Sequence, residues 1–180
     1  GGSRIQVRDR RESIPNVPNQ VVNVGIQNIK QGKEFESVDD SCEIFYIPSG
    51  KVTKVWPEIY PLLDKCHRYS NGELETQDFL NMIVEGNMHL WVAVEDGVMI
   101  AAVVSEFVIY PRKKIMRIVS LGGKGVDRWL EKLYAVIEAT ALSVGCTGLE
   151  AWGRKGWERK LKDWSSTYRL YTKNIKDRLQ

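Results

Sequence analysis

The stretch Ile115-Met116-Arg117-Ile118-Val119-Ser120-Leu121-Gly122-Gly123-Lys124-Gly125, continued by Val126-Asp127-Arg128-Trp129-Leu130, decides the fold. Its opening is mostly apolar with no clean polar face, the pattern of a strand internal to a sheet. Gly122, Gly123 and Gly125 then interrupt it, and Val126, Leu130, Leu133, Ile137, Ala141 and Val144 recur in steps of three or four. That spacing predicts a helix over 126–144 with one buried stripe, ended by Gly145. A glycine-rich turn between strand and helix lets main-chain amides converge without Cβ obstruction at the positive end of a helix dipole, which suits a phosphate or pyrophosphate. Glycine here also permits a tight turn and close helix–sheet packing, so the tetrapeptide alone leaves both uses open.

Two familiar phosphate loops are excluded. Gly125 rather than Ser or Thr follows Lys124, which rules out a Walker A loop, and the three glycines do not supply a GxGxxG fingerprint.

Working outward, Glu43-Ile44-Phe45-Tyr46-Ile47 is a strand closed by Pro48-Ser49-Gly50. A helical region follows over 52–69, where Pro57 and Pro61 predict a kink or a late start. After the Asn71-Gly72 break, Glu75 or Thr76 opens a second helix with Phe79, Leu80 and Ile83 on one stripe. Strands at 89–94 and 98–109 flank the turn Glu95-Asp96-Gly97 and form the clearest hairpin in the chain. Beyond the long helix, Leu149-Glu150-Ala151-Trp152 reads as a short strand, 156–163 as a brief basic helix, and 167–173 as a last strand with Tyr168, Leu170 and Thr172 on one face. The order is strand, two helices, three strands, helix, strand, helix, strand. It predicts a mixed α/β (α+β) domain with a central, mostly antiparallel sheet flanked by helices.

The chain has 180 residues, 43% hydrophobic and 27% charged, enough for one hydrophobic core without disulfide or metal staples. Its formal charge is only +3, but residues 150–180 hold nine basic and four acidic side chains against 17 and 19 in the rest. The basic part is therefore the last segment. Cys42, Cys66 and Cys146 are odd in number and lack a CxxC pair, which fits buried free thiols in a reducing compartment better than a disulfide framework or zinc site. No apolar run is long enough to cross a bilayer and no signal-peptide core is present, so a cytoplasmic location and no membrane partner are expected. Gly1-Gly2-Ser3 reads as a tag remnant. Residues 1–41, with Arg4, Arg8, Arg10, Arg11, Pro15 and Pro18, read as an arm or irregular extension to a domain at 42–180, in which the alternation Val22, Val24 and Ile26 can add one edge strand. Binding to nucleic acid through the arm and the basic end would weaken steeply with salt, but no reading motif supports it.

Residues 42–173 resemble the Gcn5-related N-acetyltransferase family, whose fold has this element order. That family's pyrophosphate motif is Gln/Arg-x-x-Gly-x-Gly/Ala; Ser120-Leu121-Gly122-Gly123-Lys124-Gly125 meets its last two fixed positions and departs at Ser120. The resemblance implies an acyl-CoA N-acyltransferase fold, acetyl-CoA as cofactor and an amine as acceptor. It places the pyrophosphate against the amides of Leu121, Gly122, Gly123, Lys124, Gly125 and Val126, and the pantetheine against the edge of Val119 and Leu121, in a slot where the 115–121 and 149–152 strands diverge. Arg154, Lys155, Arg159, Lys160 and Lys162 would border the nucleotide end, or form a basic solvent face. Trp152 and Trp157 would wall the acceptor pocket, or pack the core.

Acetyl transfer needs a deprotonated amine, a polarised carbonyl and a proton for the leaving thiolate. Relatives use a Glu or a water as base and a Tyr on the last helix as acid. Here the loop strand offers Arg117, and Arg159 stands near the Tyr position, where it holds its proton too tightly to serve. Glu106, Glu150 and Tyr168 are the replacement candidates, with Ser166 nearby. His67 and His89 lie in no nucleophile context, and no metal spacing is present. The rival reading is a non-catalytic protein of the same fold in an assembly, such as a phage virion component docked through the arm. The altered Ser120 and the missing Tyr favour it, and a likeness to small phage-encoded members of the family suggests that origin.

Overall fold

Five strands pair in chain order, β1-β2-β3-β4-β5, to make one sheet. They are β1 (Glu43–Ile47), β2 (His89–Glu95), β3 (Val98–Tyr110), β4 (Lys113–Gly123) and β5 (Gly148–Ala151); the helices are α1 (Val52–His67), α2 (Thr76–Val84) and α3 (Val126–Ser143). The computed structural model describes residues 42–67, 72–153 and 155–175. The predicted arm with its arginine cluster and edge strand, residues 68–71 and Arg154 lie outside these.

β1 to β4 are antiparallel neighbours, and β5 alone runs parallel to β4, after the α3 crossover. The sheet is thus mixed and mostly antiparallel, as the pattern predicts. Its central strands are buried on both faces, which is why they read as continuous apolar runs. Leu90, Val92, Val94, Ala102 and Val104 pack against Val52, Val55, Trp56, Ile59 and Leu63 of α1 and Phe79 and Ile83 of α2. Trp91, Ala93, Ala101, Val103, Phe107, Met116 and Ile118 face Trp129, Leu130, Leu133 and Ile137 of α3.

The expected late start of the first helix is not observed. α1 runs from Val52 through both prolines. Each proline removes one i→i−4 bond, but Pro57 and Pro61 both lie on the exposed side, and burial of Val52, Val55, Ile59 and Leu63 offsets the loss. Two hydrogen bonds tie α2 to α1: Thr76 Oγ1 donates to Asp64 Oδ1 at 2.7 Å, and Trp56 Nε1 to Gln77 Oε1 at 3.2 Å.

Beyond β5 the predictions fail in part. The basic helix is a short 3-10 turn, Lys155–Arg159, and the strand at 167–173 does not form. Tyr168, Leu170 and Tyr171 are all exposed. Alternation supplies a strand's faces but not its partner: among the described residues no strand pairs with this segment, so no ladder forms there to satisfy its backbone.

Among the described residues no helix is long and apolar enough to cross a membrane.

Candidate active site

The site begins with a fork in the sheet. β5 pairs with β4 only from Ile115↔Gly148 to Ile118↔Ala151, and among the described residues β4 continues alone on that side as far as Gly123. On its other side β4 stays paired with β3 from Tyr110↔Lys113 to Ala101↔Gly123, with a bulge opposite Val104 and Ser105 that leaves Val119 as the extra residue.

This register corrects the picture of six converging amides. The Lys124 amide donates to the Ile100 carbonyl at 2.9 Å, which makes Ile100 and Lys124 a hydrogen-bonded pair. In an antiparallel ladder such pairs alternate, so the amides of Ser120, Gly122 and Lys124 face β3 while those of Leu121 and Gly123 face the open edge. The chain then turns into α3, whose first turn leaves the N–H groups of Val126 and Asp127 without intrahelical acceptors. The donors therefore form a line, from the β4 edge to the helix N-terminus.

The glycines have packing reasons of their own. A Cβ on Gly122 would stand 2.2 Å from the Leu62 carbonyl oxygen, and one on Gly123 would stand 2.4 Å from Ala101 Cβ. They let β4 lie against α1 and β3. Gly125 is the N-cap of α3 at φ 64°, a left-handed conformation that favours glycine. Of the two uses left open by the tetrapeptide, close packing and a tight turn are both present here.

Sequence reading missed Arg128. Its guanidinium lies over Gly125, where a Cβ would be 2.5 Å from Nη2, and Nη1 pairs with Glu95 Oε1 at 2.5 Å. This places a cation at the end of the donor line. Lys160 is also drawn there, through an ion pair with Asp127 in the first turn of α3. Below the loop, Trp129 Nε1 donates to the Lys124 carbonyl at 2.7 Å.

At the base of the fork, Glu106, Arg117 and Glu150 stand side by side on β3, β4 and β5 as register partners. Because Met116 and Ile118 face α3, this row faces the side of the sheet that carries α1 and α2. Arg117 Nη2 and Nε donate to Glu150 Oε1 at 3.0 and 3.3 Å, and Nη1 reaches Glu106 Oε1 at 3.4 Å. Tyr110 Oη donates to Glu150 Oε2 at 3.3 Å. Trp152, 67% exposed, lies with its ring 4.7 Å from the Arg117 guanidinium carbon. Arg117 and Leu121 are opposite Glu106 and Val103, three residues apart on β3, so they stand roughly 10 Å apart along the sheet at strand rise.

Two of the three proton-transfer candidates are thus brought together, Glu106 and Glu150. Glu106 is buried. Tyr168 is 93% exposed, and no hydrogen bond or ring contact joins it to this row among the described residues. Tyr110, which does touch Glu150, carries no sequence signal, because only the register reveals it. Trp157 packs against the α3 core instead of walling a pocket. His89 is buried, with Nδ1 3.2 Å from Ser105 Oγ and its ring against Phe107. No group of three metal-ligating side chains occurs among the described residues.

No family model matches this sequence, and no curated protein matches it. Solved structures do match the fold. An aminoglycoside acetyltransferase from an uncultured soil metagenomic sample, in complex with sisomicin, superposes with a TM-score of 0.59 at 13% identity, over 78% of this chain and 100% of that one. A GNAT family acetyltransferase from Staphylococcus aureus gives 0.56 at 15% identity, over 75% and 99%. An aminoglycoside N-acetyltransferase in complex with CoA gives 0.55 at 12% identity, over 79% and 100%. The chain has the Gcn5-related N-acetyltransferase fold, in a divergent form.

Proposed function

We propose that the protein is an acetyl-CoA-dependent N-acyltransferase that moves an acetyl group to an amine. One observation carries this reading: β4 runs past its parallel neighbour with the Leu121 and Gly123 amides facing an open edge, and that edge leads into the first turn of α3. An extended chain of amides ending in phosphates has the complementary chemistry. The similar structures support it, since one of them holds CoA.

Leu121 and Gly123 bind the pantetheine arm, with Val119 at the bulge beside them. The N–H groups of Val126 and Asp127 bind phosphate together with the Lys124 and Arg128 side chains, so Arg128 supplies the charge that Ser120 does not. When bound, the cofactor supplies the activated acetyl group. Glu106 and Glu150, at the base of the fork, are the proton-accepting candidates. Arg117 and Trp152 beside them border the space for the acceptor.

Initial rates of thiol release with acetyl-CoA and a panel of primary amines test the reading. Free thiol and acetylated amine in equal amounts are expected; no release from a protein that binds the cofactor would favour the non-catalytic assembly role. For that rival the altered Ser120 speaks, while the arm it invokes lies outside the described residues.

A further inference from the structure

Glu106 and Glu150 are not equivalent. We infer that Glu150 is the group that takes the proton from the acceptor amine, and that Arg117 and Tyr110 are positioning residues that fix its two oxygens; this rests on the transferase reading above. The Glu150 side chain is 34% exposed, whereas that of Glu106 is 7% exposed. Glu150 also occupies the next-to-last position of β5, beside the point where β5 leaves β4.

Its carboxylate is held from two directions. Arg117 gives two hydrogen bonds to Oε1 and Tyr110 gives one to Oε2. A carboxylate offers about four lone-pair sites, so one remains on Oε2 for an incoming N–H. Arg117 is itself fixed between Glu106 and the Trp152 ring. Glu106 thus acts at a distance, by orienting the guanidinium that orients Glu150.

In the reaction Glu150 takes one proton from the acceptor ammonium and passes it to solvent. The freed lone pair forms the C–N bond as the C–S bond breaks with its electrons on sulfur. The new amide nitrogen sheds its second proton, which balances the one the thiolate takes up.

Two kinds of acceptor separate this role from a structural one. Protonated amines, tested as lysine amide, spermidine and sisomicin, need a base before they attack; hydroxylamine is uncharged at neutral pH and does not. With saturating acetyl-CoA, E150Q should lower kcat for the protonated amines by about a hundredfold or more, the usual size of a lost general base, and at least about tenfold more than for hydroxylamine. R117M should follow E150Q in this selectivity, and R117K should recover part of the loss. The KM for acetyl-CoA and the rise in melting temperature with CoA should not change in any of the three. Equal losses for both kinds of acceptor, no loss in E150Q, or an R117K no better than R117M would overturn the assignment. A wild-type protein that binds CoA but acetylates neither kind would instead overturn the transferase reading, and this one with it.

Discussion

The indole Nε1 of Trp129 donates a 2.7 Å hydrogen bond to the carbonyl oxygen of Lys124, from a side chain that is fully buried in α3. The tip of the glycine loop is thereby pinned to the core beneath it. Replacing Trp129 by Phe keeps most of the apolar contact but leaves that carbonyl without this donor. The expected cost is about 1–3 kcal/mol of unfolding free energy in denaturant titration. Weaker CoA binding should accompany it, because the loop loses its anchor.

The glycines should rank by what lies beside them. Gly122→Ala drives a Cβ into the Leu62 carbonyl of α1, a backbone atom that cannot step aside, and should destabilise by about 1–3 kcal/mol. Gly125→Ala meets only the movable Arg128 guanidinium, but its left-handed φ costs about 1–2 kcal/mol. Denaturation midpoints of both variants, with and without CoA, check this. Gly123→Trp is a poor probe of the site, since its side chain would collide with Ala101 and part β4 from β3.

Removing the Arg128 charge should weaken the phosphate end alone. Arg128→Ala is expected to lower CoA affinity on the order of tenfold, the loss of one hydrogen bond to a charged group. Pantetheine, which lacks the pyrophosphate, should bind wild type and variant equally. Calorimetric titrations with the two ligands measure the difference.

Alkaline pH should destabilise the protein in a defined window. Burial, helped by the hydrogen bond to Glu95 and that residue's charge, pushes the Cys42 thiol from 9.0 up to about 11, and burial pushes Tyr134 from 10.0 up to about 12. Both groups are held neutral by the fold. Their contribution is fully present below pH 9 and is lost as pH rises through about 11 and then about 12. Melting temperature should fall over that range, and Cys42→Ala should flatten its lower part. At neutral pH iodoacetamide should modify the exposed Cys66 ahead of the buried Cys42 and Cys146.

Much of the fold was legible because its strands and helices carry strong periodicity of their own. The stripe Leu130, Leu133, Ile137 and Ala141 lies buried on α3 as its spacing requires, and the hairpin at Glu95-Asp96-Gly97 is where its turn residues put it. The segment after Trp152 was misread because local alternation at Tyr168, Leu170 and Thr172 cannot say whether a sheet edge is within reach. The site was half legible. Gly122, Gly123 and Gly125 mark the loop in the sequence, but which amides point outward depends on the Ile100–Lys124 pairing. Glu106, Arg117 and Glu150 are separated by 11 and 33 residues and become neighbours only through the register of three strands.

The open β4 edge and the start of α3 are tested most directly by isothermal titration of the full chain with CoA. One CoA should bind per chain, more tightly than pantetheine, with a dissociation constant that rises with salt as phosphate contacts are screened. An absence of binding at millimolar CoA would contradict the account at its root.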